Sequence, residues 1–447
     1  MKKNIKRLLL IIILQIIVIG IRSNDFTPSN SSYQSHSFEN TNIILMIGDG
    51  MGFEHLKLAQ WVELGIEGQF SIESFPEKLS VITRNILGIT TDSAAAATAI
   101  ATGEKTTNGK IAMSTDNKEL QTILEIAQKQ NKSTGIITTT SIQHATPACF
   151  MAHVSSRNDY YEITKQIVEE AGVDLLMGGG RSYFTEADIL EMETAGYQIV
   201  NNRTTFENIS IGKVLGLYAD SHLPFEEDKD YEQIPTLAEM VEKSIAILSQ
   251  DEDGFFMMVE GGKIDSAAHD NQKEGVALET IAFIDAVNEA LAFTKENSNT
   301  ILIVTADHET GGLLVRDQTL GTILPSSGNS LEQNRTLRLS RVEQIDVTFK
   351  RTGHTDTLVP FYGFGKAFEN LLTGGIIDNT YIYKIMENFT LGKELMIEEF
   401  DINSIDIHFT KTLIITVSTV FAHAIVLAIP LITTARRYKK QKKLEKF

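Results

Sequence analysis

The sequence predicts an α/β fold: a three-layer sandwich with a central, mostly parallel sheet flanked by helices on both faces, plus one C-terminal transmembrane helix. Three observations predict it. Apolar runs of strand length recur, from NIILMIGDG at 42–50 to LVPFYGFG at 358–365. They are nearly continuous rather than alternating, as in strands covered on both faces. Helix-like stretches such as ELQTILEIAQKQ (119–130) and GVALETIAFIDAVNEALAFTKE (275–296) lie between them. Strands alternating with helices build parallel sheets. A final apolar stretch, 412–435, is long enough to cross a bilayer.

Taken in order, the chain opens with MKKNIKR and then a run from Leu8 to Ile19 of almost only Leu, Ile and Val. A basic start and an apolar core predict a signal peptide over 1–22, cleaved near Ser23, with an uncleaved anchor as the alternative. Residues 23–40, polar and rich in Ser and Asn, read as a flexible leader. The folded domain is placed at 41–395; a mature chain of roughly 420 residues suits one large α/β domain or two ordinary ones. Its other strand runs are TGIITTT (134–140), DLLMGGG (174–180), FFMMVEGG (255–262) and ILIVTADHETGG (301–312). Segments 182–235 and 315–350 carry less periodic signal and are expected as surface insertions. Residues 396–411 form a stalk before the span at 412–435, which holds His423 and Pro430. The tail 436–447, RRYKKQKKLEKF, is basic, which marks a cytoplasmic flank. A glycolipid-anchor signal is the competing reading, but it would end in its hydrophobic tail. These segments predict a type I protein of the plasma membrane or an endomembrane, its folded domain extracellular or luminal. Six sequons, at Asn30, Asn131, Asn202, Asn208, Asn334 and Asn388, make it a candidate glycoprotein.

The formal net charge is −18, with +5 in 1–22 and +6 in 436–447, leaving −29 on the remainder. So acidic a domain argues against nucleic-acid binding. It does not demand a cationic substrate, because bound metal ions reverse a local field. Cys149 is the single cysteine, so no internal disulfide can form. It reads as a buried structural thiol.

The run TDSAAAATAIATGEKT at 91–106 puts Ser93 at a helix start after Asp92, ahead of Ala94 to Ala97. Ala favours helix, and small side chains let the backbone approach a ligand. Free N–H groups and the helix dipole favour an anion there. Alone, the run is a weak signal and reads more readily as a capped Ala-rich helix of no catalytic role.

In open α/β sheets, ligands bind beyond the carboxyl ends of the strands. Those ends are rich in metal-ligand types. The first run leads into Asp49, the second into His144, Thr146 and, further on, Arg157. FFMMV leads into Glu260, Asp265 and His269; ILIVTA into Asp307 and His308; and TGHTDT supplies His354. Asp265 and His269 are four apart and would share a helix face. Each has a bland reading as a helix cap or as solvated surface. Together those readings fail, because so many carboxylates at one sheet edge would repel each other without cations. Imidazole and carboxylate suit zinc, and carboxylate with hydroxyl and water suits magnesium. Paired metals are the usual arrangement for displacement at phosphorus.

Six motifs stand in family order: MIGDGMG, TDSAAAATAIATGEKT, QHATPA with a following Arg, VEGGKIDSAAH, TADHETGG and TGHT. On these the chain resembles the alkaline phosphatase family over roughly residues 41–395. The resemblance implies hydrolysis of phosphate monoesters at a site with two Zn2+ and one Mg2+. It makes Ser93 the nucleophile that becomes phosphoserine. Asp265, His269 and His354 would hold the first zinc, which activates the hydrolytic water. Asp49, Asp307 and His308 would hold the second, beside the serine oxygen. Asp49 would bridge to magnesium with Thr146 and Glu260, and Arg157 would clamp two phosphate oxygens. His144 would support the magnesium ligands without binding the ion. A homodimer is the family expectation. About 45 residues separate His308 from His354, so the crown insertion of animal members should be small or absent. The calcium-type site of animal members has no clear match in GLYADSHLPFEED.

Two rival readings remain. One is a related phosphodiesterase or sulfatase; a single Arg157 clamp and an unmodified Ser93 favour monoesters. The other is a catalytically silent surface protein used for adhesion, against which the complete ligand set argues.

Overall fold

The computed structural model describes residues 40–393, except 319, 322, 366–367 and 369–374. Its strands, in chain order, are β1 (Asn42–Gly48), β2 (Glu77–Ile82), β3 (Ser133–Ser141), β4 (Leu175–Gly179), β5 (Gln198–Val200), β6 (Val214–Leu217) and β7 (Phe255–Gly261). They continue as β8 (Thr300–Thr305), β9 (Glu309–Thr310), β10 (Leu314–Gln318), β11 (Ile345–Thr348), β12 (His354–Thr355), β13 (Val359–Phe364) and β14 (Ile376–Asp378). Ten form one sheet in the order β14-β2-β13-β8-β1-β7-β3-β4-β6-β5. The central strands are buried along their length, β1 and β7 without exception, which is why their sequences run apolar on both faces.

Register positions the site. Ile47 of β1 lies opposite Glu260 of β7 and Thr305 of β8. Thr138 of β3 lies opposite the same Glu260. β1, β7 and β8 therefore end nearly level while β3 runs on to Ser141, and Asp49 and Asp307 follow within two residues of the ends of β1 and β8. Two groups of helices pack with the sheet. Lys273–Glu296 contacts Phe53–Leu64, Leu237–Leu248 and strands β1, β7 and β8. Ser93–Thr102 packs with Ala145–Met151 and Thr380–Thr390. Every residue of Ser93–Thr102 is buried, so its Ala run is a packing requirement as well as a helix preference.

The sheet is mostly parallel, as expected, with β13 running antiparallel to both β8 and β2. Other expectations need correction. Segment 182–235 is more than a surface insertion: it supplies β5 and β6, and β6 extends the sheet from β4. The amphipathic stretch at 119–130 begins its helix only at Ile123, where Thr122 and Glu125 form a reciprocal cap. Segment 315–350 holds the helix Leu331–Val342, and β10 pairs with β11 in a two-stranded sheet.

The membrane placement is also corrected. No helix among the described residues is long and apolar enough to cross a membrane, which overturns the type I localisation expected above. The stretches 1–22, 396–411, 412–435 and 436–447, and 23–40 apart from Asn40, lie outside the described residues.

Candidate active site

The strand ends deliver their polar side chains through short, sterically demanding turns. After β1, Gly50 adopts φ +72°, and a Cβ there would meet Asp265 Oδ1 at 2.8 Å. Its amide donates to Asp307 Oδ1 at 3.0 Å, tying the ends of β1 and β8 together. After β7 the helix Lys263–His269 carries Asp265 and His269 one turn apart, with Oδ2 and Nε2 3.3 Å apart. After β8, β9 pairs with β12 so that His354 lies opposite Thr310. That small sheet brings His354 onto His308, with ring centroids 3.6 Å apart. Forty-six residues of sequence separation are closed by two strand pairs.

Three groups of ligand atoms result, each within 4.8 Å: Asp265, His308 and His354; Asp49, Asp307 and His308; and Asp49, His144 and Glu260. His269 joins the first through its Nε2, 3.0 Å from His354 Nε2. Ser93 begins its helix, with Asp92 as the cap accepting from Ala95 N at 2.9 Å. Ser93 Oγ lies 3.3 Å from His308 Nε2. The same nitrogen is 3.2 Å from Asp307 Oδ2 and 3.6 Å from Asp49 Oδ1.

Arg157 reaches the site from the loop after the helix Ala145–Met151. It donates through Nη1 to Asp92 Oδ2 at 3.1 Å and through Nη2 to His144 Nε2 at 3.2 Å. A guanidinium only donates, so His144 Nε2 accepts and its Nδ1 carries the proton. That N–H faces Glu260 Oε1 at 3.7 Å. Although His144 shares a group with Asp49 and Glu260, this tautomer turns a proton and not a lone pair toward the carboxylate, too far off for a hydrogen bond.

The electrostatics are those of crowded, buried carboxylates. Burial, with Asp307, Asp265 and Glu260 nearby, pushes Asp49 well above the ordinary carboxylate range. Burial, reinforced by Asp265 and Glu260, raises Asp307 to about 7 against the pull of two backbone N–H donors. Burial would raise Glu260 too, but His144 and the hydroxyls of Thr138 and Thr140 reverse that and hold it low. Asp49 Oδ1 and Oδ2, Asp307 Oδ2, Glu260 Oε1 and Thr146 Oγ1 are buried without a hydrogen-bond partner.

Some contributors are invisible in the ligand motifs. Asp92, beside Ser93, also accepts from Gly109 N at 2.9 Å, so one carboxylate ties helix, loop and Arg157 together. Thr138 and Thr140 both donate to Glu260 Oε2, the latter at 3.0 Å; the Thr run closing TGIITTT was their signal. His222 accepts from Ser141 N at 2.9 Å and sets its ring across that of His144, centroids 5.5 Å apart. Nothing in the sequence singled it out.

The alkaline phosphatase family model matches residues 40–340. Alkaline phosphatase 4 of Bacillus subtilis is 37% identical over 308 residues, which are 65% of this chain and 66% of that protein. Alkaline phosphatase 3 of the same organism is 37% identical over 332 residues, 70% of this chain and 71% of that one. The solved alkaline phosphatase of the Antarctic bacterium TAB5 has a TM-score of 0.67 at 31% identity, covering 79% of this chain and 98% of that chain. A mutant of the TAB5 enzyme, 30% identical with a TM-score of 0.67 and covering 79% and 98%, was solved with Mg bound. His354 lies beyond the matched residues, but the rest of the clustered side chains fall within them, and the chain belongs to the alkaline phosphatase family, whose members are metal-dependent enzymes that hydrolyse phosphate monoesters.

Proposed function

We propose that the chain hydrolyses phosphate monoesters to an alcohol and inorganic phosphate through a phosphoserine at Ser93, with two zinc ions and one magnesium ion as resident cofactors. One observation carries the reading. Ser93 Oγ, Asp307 Oδ2 and Asp49 Oδ1 converge on His308 Nε2 at 3.3, 3.2 and 3.6 Å. One ring nitrogen offers at most one proton, so it cannot satisfy all three. A cation among them can.

The orphaned, buried oxygens of Asp49, Asp307, Glu260 and Thr146 support the fit, because such groups are costly without a partner. Asp265, His269 and His354 would hold one zinc, and Asp49, Asp307 and His308 the other, imidazole–carboxylate sets of the kind zinc takes. Asp49, Thr146 and Glu260 would hold magnesium through oxygen alone, and likeness to the magnesium-bound TAB5 mutant supports that choice. When bound, such ions supply Lewis-acid charge to the phosphoryl oxygens, the nucleophile and the leaving oxygen.

The remaining work falls to side chains. Arg157, braced by Asp92 and His144, presents its fork to two phosphoryl oxygens. The helix N-terminus at Ser93 adds its dipole to the same anion. Ser93 Oγ gives up its proton and bonds to phosphorus as the bond to the leaving oxygen breaks; that oxygen departs with the electron pair and takes up a proton to become the alcohol. Water, losing a proton, then displaces Ser93 Oγ from phosphorus, the serine regains its proton, and two displacements retain configuration there. His144 steadies Glu260 from outside the ion's ligand set. A homodimer accompanies the reading as the family expectation, checked by sedimentation.

Ser93→Ala tests the reading. Phosphatase activity is expected to fall by about 10³-fold or more, with zinc content retained. Near-normal turnover would sink the assignment of the nucleophile.

A further inference from the structure

We propose that Arg351 selects phosphate monoesters whose leaving group carries a negative charge of its own, an inference that rests on the phosphatase reading above. The serine attacks from the side of Asp49, Asp307 and His308, since its Oγ lies 3.3 Å from His308 Nε2. In-line displacement sends the leaving oxygen out on the opposite side, toward Asp265, His269 and His354. The two sides differ in exposure. The side chains of Asp49, Asp307 and His308 are fully buried, whereas that of His269 is 41% exposed. The leaving group therefore departs past His269.

Residues 350–352 form the lip of that exit. The amides of Lys350 and Arg351 donate to Gly311 O at 2.9 and 3.1 Å, fixing the segment against the turn after β9. Thr352 O receives the Nδ1 proton of His269. Arg351 Nη1 donates to His354 O at 3.4 Å, so the exposed guanidinium stands beside the backbone of one histidine and one residue from the anchor of the other.

Its charge is uncommitted. Arg84 pairs with Asp356 at 2.6 Å and Arg157 with Asp92 at 3.1 Å, but Arg351 forms no ion pair among the described residues. In a chain of net charge −18, a guanidinium free of carboxylates at the leaving-group exit is a recognition element for an anion. Its planar fork suits a carboxylate or a second phosphate on the departing alcohol.

The test compares 4-carboxyphenyl phosphate with phenyl phosphate, taking the ratio of their kcat/KM values in the wild type and in Arg351→Lys, Arg351→Ala and Arg351→Glu. The ratio cancels intrinsic reactivity and requires only that each variant turn over phenyl phosphate. At low salt it is expected to fall about 3-fold in Arg351→Ala and about 10-fold in Arg351→Glu, and to fall less in Arg351→Lys, which keeps the charge but loses the fork, than in Arg351→Ala. High salt should compress these differences. If Arg351→Glu fails to fold, Arg351→Ala carries the same comparison. A phosphatase with one ratio in all forms would overturn this proposal alone. A wild-type protein that hydrolyses neither ester would overturn the phosphatase reading, and this proposal with it.

Discussion

Arg157 Nη1 donates to Asp92 Oδ2 at 3.1 Å, and the other oxygen of that carboxylate caps the helix that starts at Ser93. The phosphate clamp and the nucleophile are thus aligned by one side chain. Asp92→Ala should leave Arg157 free to swing and remove the cap, costing about 1 kcal/mol of stability. Its KM and its inhibition constant for inorganic phosphate should rise several-fold while kcat changes less, because a ground-state anchor has been loosened. Equal losses in kcat and kcat/KM would argue that Asp92 acts in the transition state instead.

Thr138 and Thr140 bracket Glu260 Oε2, and the two hydroxyls are themselves 2.8 Å apart. Thr138→Val keeps the shape and removes one donor. Such outer partners typically contribute about 10–100-fold to metal affinity, so activity should need correspondingly more magnesium at half-saturation. A magnesium titration that overlays wild type would contradict this placement.

Chelation bears on stability as well as activity. Cations that satisfy the orphaned carboxylates stabilise the folded state by mass action, by about 2.7 kcal/mol per site at a hundredfold excess over Kd. Calorimetry should show a lower Tm after treatment with a chelator, restored by zinc with magnesium. An unchanged Tm would mean that the buried carboxylates find relief without metal.

Away from the site, His153 bridges two acceptors: Nδ1 meets Ala112 O at 3.1 Å and Nε2 meets Glu125 Oε1 at 3.0 Å. Both bonds require the doubly protonated ring. Burial opposes that charge, but the Glu125 and Ala112 bonds outweigh it and raise the His153 pKa above its usual value of 6.5. Burial would raise Glu125, and His153 together with the Thr122 amide lowers it below 4.5. The histidine's contribution is therefore full below its unfolded pKa and is lost as pH climbs through the raised folded value. The glutamate's is present above its unfolded pKa and is lost as pH falls through the lowered one. Glu125→Gln can keep the helix cap and loses the ion pair. Its Tm deficit against wild type should be largest between about pH 5 and 6.5 and shrink in alkali. A deficit that grows with pH would refute the imidazolium.

The strands that hold the site were legible in the sequence because they are buried on both faces and end in ligand-type residues. Asp49, Glu260, Asp307 and His308 could be placed at one edge from that pattern alone. What stayed hidden depends on pairing. β5 and β6, at one end of the sheet, are only three and four residues long, too short for a periodic signal. The antiparallel return of β13 follows from the short connection after β12 and not from its own apolar run. Asp92 bonds Arg157 across 65 residues, and His222 reaches Ser141 across 81. Single-residue polarity cannot announce such partners. His144 was recognised through its motif, but its tautomer needed the geometry of Arg157.

The central claim is a covalent phosphoserine at Ser93. The direct measurement is an acid quench of the enzyme turning over a phosphate monoester, followed by mass spectrometry of its peptides. Phosphate on the peptide carrying Ser93, absent from Ser93→Ala, is the predicted result. Full turnover with no phosphorylated peptide, or with phosphate on another residue, would contradict it.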